Sequence, residues 1–145
     1  MTTGKRGSLR SSEIAVGDEL PTFELSVTPT VIVAGAIASR DFMHAHHDAG
    51  FAKAQGAPDL FMNILTTNGY VSRFITDWAG PEAMIRKMAI RLGAPAVPGQ
   101  PLRFFGQIAK TSHEGDECVM EIAVRAANEL GDHLTGTVVV SLPLE

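Results

Sequence analysis

The chain has only one cysteine, Cys118, among its 145 residues. A single cysteine cannot form an intramolecular disulfide, which fits a reducing compartment, and we expect a cytoplasmic location. The sequence also lacks a basic excess, since 12 lysines and arginines stand against 16 aspartates and glutamates, for a formal net charge of −4. Because binding to a phosphate backbone needs a basic face, this balance argues against a nucleic-acid partner.

Long apolar runs are missing as well. No stretch approaches the roughly 20 residues that a transmembrane helix needs, so we expect no membrane partner. The first dozen residues are polar and lack the apolar core of a secretory signal. With 45% hydrophobic residues the chain can build one packed core. We therefore predict a disordered tail over residues 1–14 and a single domain over residues 15–145.

The spacing of apolar residues predicts one long helix. Between positions 61 and 78 apolar side chains recur every three or four residues, which is typical of an amphipathic helix, and Gly80-Pro81 would end it. Before it, the alternation over residues 21–27 predicts a strand. Residues 30–37 are apolar and rich in β-branched side chains, so we interpret them as a second strand segment or the start of a turn.

The remainder of the chain alternates between apolar and polar residues with period two. Four such segments, from Met88 to Leu142, are joined by the turn-rich stretches 93–99, 113–116 and 128–131, which favour antiparallel neighbours. One long helix with an antiparallel meander predicts an α+β hotdog fold, in which an antiparallel sheet wraps around a long central helix.

The densest polar cluster lies at residues 39–48 and contains two aspartates and three histidines. Asp41 and His46 could together orient and deprotonate a water molecule, because histidine titrates near working pH. Five residues apart on a regular helix they would point roughly 140° away from each other, so they converge only if the segment turns irregularly. The alternative is that the cluster is a solvated turn with no catalytic role. Metal binding by His44, His47 and Asp48 is a third, but no second ligand group stands out, and we predict no metal.

Polar residues also open the long helix, at Asn63, Thr66, Thr67 and Asn68. Backbone N–H groups at a helix start could hold a carbonyl oxygen that gains negative charge. For any one of these side chains, capping of the helix is the alternative. Cys118 lies on the apolar face of its strand, which indicates a core residue rather than a nucleophile.

The run Asp41-Phe-Met-His-Ala-His46-His-Asp48, followed by Phe51, resembles the hydratase motif of MaoC-like proteins, in which an Asp and a His five apart flank a short turn. The resemblance extends over nearly all of the chain after about residue 15. It implies a hotdog enoyl-CoA hydratase that converts a trans-2-enoyl-CoA to a 3-hydroxyacyl-CoA, with Asp41 and His46 activating water. It also implies no cofactor beyond the coenzyme A that the acyl-CoA substrate carries.

Two further runs, Phe61-Met-Asn-Ile-Leu65 and Thr76-Asp-Trp-Ala-Gly-Pro81, are similar to the small MaoC-like subunits of actinobacterial steroid side-chain hydratases. In that group the small chain carries the Asp and the His and pairs with a second MaoC-like chain. The resemblance implies a steroid or other bulky acyl group. A homodimer or a hetero-oligomer with a second MaoC-like chain is expected, because a lone hotdog domain exposes a sheet edge.

The sequence departs from the single-chain hydratases at two places. Met43-His44 stands where many have Asn-Pro, and Asn63-Ile64 stands where they have His-Gly. The resemblance implies that Asn63 and Ile64 bind the substrate, through backbone N–H groups that hold the thioester oxygen. Two alternatives remain open: an acyl-CoA thioesterase on the same fold, and a non-catalytic acyl-CoA-binding partner subunit.

Overall fold

The structure is a computed structural model that describes residues 7–145. A 3₁₀ turn at Ser11–Glu13 precedes strand β1 (Phe23–Leu25) and helix α1 (Pro29–Ala38). A second 3₁₀ turn at His44–His46 and the short helix α2 (Ala49–Ala54) lead to the long helix α3 (Ile64–Ala79). The chain ends in four strands: β2 (Met84–Leu92), β3 (Leu102–Glu114), β4 (Glu117–Asn128) and β5 (Gly131–Pro143).

The five strands form one antiparallel sheet in the order β1-β3-β4-β5-β2. Helix α3 turns one face toward the core and buries residues that recur every three or four positions, with one adjacent pair: Thr67, Val71, Phe74, Ile75 and Ala79. The core that they join is filled by inward-facing residues of the strands, which include Phe104, Ile122, Val138 and Leu142. The predicted α+β arrangement of an antiparallel meander and one long helix is confirmed.

Both ends of α3 follow the sequence signals. The Asn63 side chain caps the first turn by accepting a hydrogen bond from the Thr66 amide at 3.2 Å. At the other end Gly80 has a φ of 91°, a conformation that favours glycine. The helix therefore starts three residues later than the predicted boundary and ends one residue later.

The interpretation of residues 30–37 as a strand or turn is wrong, since they lie in helix α1. The Thr28 hydroxyl accepts a hydrogen bond from the Val31 amide at 3.1 Å, and Pro29 occupies the first helical position. Proline fits there because its missing N–H would have no helical partner. Capping and the buried contacts of Ile32 and Ala36 outweigh the strand preference of the β-branched residues.

The N-terminal segment also differs from the expectation of a tail over residues 1–14, of which 1–6 lie outside the described residues. The Leu9 amide donates to the Ala79 carbonyl at 2.8 Å, and the Ser8 hydroxyl accepts from the Glu82 amide at 2.8 Å. Leu9 and Ile14 pack against the core. Residues 8–14 therefore contact the domain through apolar side chains that the polar composition of the segment obscures.

Between residues 7 and 145, no helix has the length and apolar character that crossing a membrane requires.

Candidate active site

Asp41 is placed by the way in which helix α1 ends. The Asp41 amide donates to the Ala36 carbonyl at 2.9 Å and the Arg40 amide donates to the Ile37 carbonyl at 3.0 Å. These two bonds form a Schellman motif, with Arg40 at the left-handed position that glycine usually takes, at a φ of 57°. The motif reverses the chain sharply, so that the Asp41 carboxylate leaves the helix axis and faces the segment that follows.

His46 is held by the second 3₁₀ turn and by a bond to the backbone. Its amide donates to the Met43 carbonyl, and its Nδ1 lies 2.7 Å from the Phe61 carbonyl oxygen. Because a carbonyl can only accept, Nδ1 carries a proton, and in the neutral ring Nε2 is then an unprotonated base. The side chain is only 7% exposed and packs edge-on against the Phe61 ring. The ring is thus fixed both in tautomer and in orientation.

The structure brings the two predicted catalytic side chains together. His46 Nε2 lies 3.4 Å from Asp41 Oδ2, beyond the usual hydrogen-bond range. An extended stretch and the 3₁₀ turn separate them, so the irregular backbone that their convergence requires is present. With no proton on Nε2, the basic nitrogen and the carboxylate oxygen both face the same small space. A water molecule there can donate one hydrogen to each.

Asn63 controls the carboxylate. Its side-chain nitrogen donates to Asp41 Oδ2 at 3.0 Å and to the Ser39 hydroxyl at 2.9 Å. Hydrogen bonding to Asn63 is the main cause that lowers the pKa of Asp41, with smaller contributions in the same direction from the Met43 amide and His46. Asn63 is 1% exposed and its oxygen caps α3, so both polar atoms of its side chain already have hydrogen-bond partners within the protein.

The pair opens into a cavity of about 390 Å³. Ile64 lies at its wall, and the amides of Ile64 and Leu65 occupy the first two positions of α3, where an N–H has no acceptor within its own helix. Of the four residues predicted for the site, the structure therefore places all four around one cavity. The rest of the lining is mostly apolar: Met43, Phe61, Met62, Leu92, Gly93, Ala94 and Pro95, with His133.

Sequence reasoning missed His133 and the loop of residues 93–95. His133 is isolated in the sequence, far from the cluster at residues 39–48, yet it lines the same cavity. Its side chain contacts Thr67 of α3, one of the several polar residues near the helix start. No local pattern links residues 66 positions apart, so only the topology of the sheet reveals the contact.

The other histidines of the cluster point elsewhere. His44 and His47 are exposed, with ring centroids 5.3 Å apart, and Asp48 caps helix α2 by accepting from the Phe51 amide. Within residues 7–145 no group of three His, Cys, Asp or Glu side chains is arranged to hold a metal ion.

The chain is similar to proteins that are named as hydratases. A 3-oxo-4,17-pregnadiene-20-carboxyl-CoA hydratase beta subunit from Mycobacterium tuberculosis is 42% identical over 127 residues, which are 88% of this chain and 95% of that protein. A chain in the crystal structure of the ChsH1-ChsH2 complex from Mycobacterium tuberculosis matches with a TM-score of 0.83 at 43% identity, over 88% of this chain and 98% of that one. The chain belongs to the MaoC-like hydratases.

The hotdog fold of these MaoC-like hydratases is also seen in a more distant enzyme. The unliganded R-hydratase PhaJ1 from Pseudomonas aeruginosa gives a TM-score of 0.83 at 18% identity, over 95% of this chain and 88% of that one. At this identity the likeness supports the fold alone, and it confirms the predicted hotdog architecture. No protein-family model matches the chain.

Proposed function

We propose that this MaoC-like hydratase adds water across the double bond of a trans-2-enoyl-CoA, with Asp41 and His46 as its acid–base pair. The observation that carries the proposal is the 3.4 Å approach of His46 Nε2 to Asp41 Oδ2 at the wall of a mostly apolar cavity. The bond from His46 Nδ1 to the Phe61 carbonyl leaves Nε2 free to accept a proton.

The proton balance follows from this arrangement. Asp41 orients the water through one hydrogen while His46 Nε2 takes the other, and the water oxygen bonds to C3 of the enoyl group. The electron pair of the C2–C3 double bond moves toward the thioester, which becomes an enolate. Return of the proton from the pair to C2 gives the 3-hydroxyacyl thioester, and the enzyme ends in its starting state.

The enolate oxygen needs hydrogen-bond donors. We place it at the start of α3, where the amides of Ile64 and Leu65 are free and the helix dipole is positive. In this assignment Ile64 binds the enolate oxygen through its backbone amide. Its side chain therefore need not be as small as the glycine that many single-chain hydratases have at this position. Asn63 acts on the substrate indirectly, since it fixes both the helix start and the Asp41 carboxylate.

A bulky acyl group, such as a steroid side chain, is the substrate that we infer. The support is the name of the 42% identical relative, which is the beta subunit of a 3-oxo-4,17-pregnadiene-20-carboxyl-CoA hydratase. The apolar side chains that line the cavity, Met43, Phe61, Met62 and Leu92, would suit such a group.

We further propose assembly with a second MaoC-like chain. Strand β2 is the last strand of the sheet and is nine residues long, so one of its edges has no partner strand among the described residues. Unpaired backbone groups on a long edge favour pairing with another chain. Met84 on this strand is exposed although apolar, and the 43% identical structure is a two-protein complex.

The test is the loss of enoyl-thioester absorbance with short-chain and steroid-sized trans-2-enoyl-CoA substrates, for the chain alone and with a candidate MaoC-like partner. Loss of absorbance without release of thiol establishes hydration, and a requirement for the partner establishes the assembly. Cys118 is 2% exposed and its pKa is raised by burial, so a thiol reagent detects coenzyme A with little background.

Other outcomes would contradict the proposal. Release of free coenzyme A would identify a thioesterase. Failure of every substrate to react, with and without the partner chain, would favour a binding subunit.

A further inference from the structure

His133 lies at an irregularity of strand β5. On the neighbouring strand β4, Ala126 pairs with Leu134 and Ala127 pairs with Asp132, so His133 is an extra residue without a partner in the register. This is a β-bulge, which breaks the alternation of the strand. As a result His133 and Leu134 are both buried, at 2% and 1% exposure, although adjacent strand residues normally face opposite sides.

Both nitrogens of the buried imidazole are occupied. Nδ1 lies 2.7 Å from the Ala94 carbonyl oxygen, which can only accept, so Nδ1 carries the proton. Nε2 lies 2.9 Å from the Thr67 hydroxyl and accepts a hydrogen bond from it. The pKa of His133 is lowered chiefly by burial, which keeps the ring in the neutral form that this pattern requires.

The two partners of His133 belong to two different segments near the candidate active site. Ala94 belongs to the loop of residues 93–95, which lines the cavity. Thr67 lies in the first turns of α3, and its amide donates to the carbonyl of Asn63, the residue that holds Asp41. The imidazole therefore bridges one wall of the cavity to the helix start that carries the catalytic contacts.

The same wall has a second attachment to the helix start. The Met62 amide donates to the Ala96 carbonyl at 3.0 Å, and the amides of Gly93 and Ala94 donate to the carbonyls of His133 and Asp132, each at 2.8 Å. These backbone bonds tie the loop to strand β5 and to the residue before the helix cap, whereas the His133 side chain links Ala94 to α3 itself. Nothing in the acid–base chemistry uses this histidine directly.

We propose that His133 is a positioning residue of the hydration site: its neutral imidazole ties the 93–95 loop to α3 and so sets where the enoyl thioester lies relative to Asp41 and His46. This inference rests on the proposed hydratase function. A bound substrate displaced by about 1 Å loses up to roughly 100-fold in rate. The effect of breaking the bridge should therefore appear in kcat more than in KM.

The test compares Thr67→Val with Thr67→Ser in the complex that shows full activity. Valine has nearly the shape of threonine but cannot donate to Nε2, whereas serine keeps the hydroxyl. We expect Thr67→Val to lower kcat by about tenfold or more with KM changed less than about threefold, and Thr67→Ser to restore most of the rate. His133→Asn should resemble Thr67→Val, and His113→Asn, at an exposed histidine of β3, should match the wild type.

The thermal unfolding of each variant is measured as well, so that kcat can be expressed per folded molecule. If Thr67→Val and His133→Asn keep the wild-type kcat per folded molecule and only unfold at lower temperature, the bridge is merely structural and the proposal fails.

Failure of the hydratase function itself would look different, because the wild type would then turn over no enoyl-CoA. The bridge is in that case tested by amide hydrogen exchange at Met62 and Ala94. Faster exchange in Thr67→Val than in Thr67→Ser supports the link between the loop and α3, and equal exchange overturns it.

Discussion

At the scale of single residues, one amide group has the largest effect on the pKa of Asp41. The Asn63 side chain donates to the carboxylate and lowers its pKa below the ordinary value of 3.8. Since the ionised form orients the water, this hydrogen bond keeps Asp41 charged at pH values below its ordinary pKa. Asn63 also caps α3, so a useful variant must keep the cap while it removes the donor.

Asn63→Asp meets that condition. An aspartate can still accept from the Thr66 amide, but it replaces the donor with a second carboxylate beside Asp41, which raises the pKa of the pair. We expect the acid limb of kcat/KM to move to higher pH, as measured by the absorbance assay across the acid range. Asn68→Asp, which adds the same charge further along α3, should leave the limb in place. An unmoved limb in Asn63→Asp would show that Asn63 does not control Asp41.

Sequence reasoning could propose which residues are catalytic, but not how they are arranged in space. The Asp–His spacing and the MaoC-like motif name Asp41 and His46 as candidates. Their approach depends on Arg40 in a left-handed conformation, a position where glycine is the usual signal. His133 could not be found at all, because a β-bulge reverses the face that simple alternation assigns to it.

At the scale of elements, helices α1 and α3 approach closely at Gly35. A Cβ atom added there would collide with the side chain of Thr66, on the first turn of α3. Because α1 ends in the motif that places Asp41, the spacing of these two helices also sets the geometry of the active site.

We therefore expect Gly35→Ala to lower the free energy of unfolding by about 1–3 kcal/mol, as overpacking does, and to reduce hydration by the folded protein. In a Thr66→Ala background the same substitution should cost clearly less, because the colliding hydroxyl and methyl groups are gone. Urea unfolding of the wild type, the two single variants and the double variant gives the coupling free energy between positions 35 and 66. Equal costs in both backgrounds would show that the contact with Thr66 is not what demands glycine.

Element types followed from periodicity wherever the pattern was long. The four period-two segments and the amphipathic helix are present, with boundaries shifted by a few residues. The failure at residues 30–37 has a physical cause: α1 is short and apolar around much of its surface, so it has no helical periodicity to detect. The Thr28 cap followed by Pro29 was the signal that could have identified it.

At the scale of the whole molecule, the exposed edge of β2 is where we propose that a second MaoC-like chain binds. Met84→Asp places a charge on an apolar side chain that is 55% exposed on this strand. We expect it to weaken association with the partner chain, measured by light scattering of the mixture, while the isolated chain keeps its thermal stability.

Val16→Asp is the matched control for that variant. Val16 is 60% exposed, but its neighbour Gly17 bonds to Ile108 of β3, at the other side of the sheet. Loss of association in both variants would indicate a general effect of charge, and loss in neither would place the interface elsewhere.

The cytoplasmic location, which was expected from the single cysteine, stays a prediction from the sequence.

The most direct test of the proposed mechanism removes His46 Nε2 and leaves the rest of the site in place. His46→Asn keeps a side-chain N–H that can replace Nδ1 as donor to the Phe61 carbonyl, but it has no base at the position of Nε2. His47→Asn makes the same change at the exposed neighbour. The measurement is kcat/KM for hydration of a trans-2-enoyl-CoA by both variants, with thermal unfolding as the check on folding. The mechanism predicts a loss of about 10²–10⁴-fold for His46→Asn and a wild-type rate for His47→Asn; a folded His46→Asn protein that hydrates at the wild-type rate would contradict it.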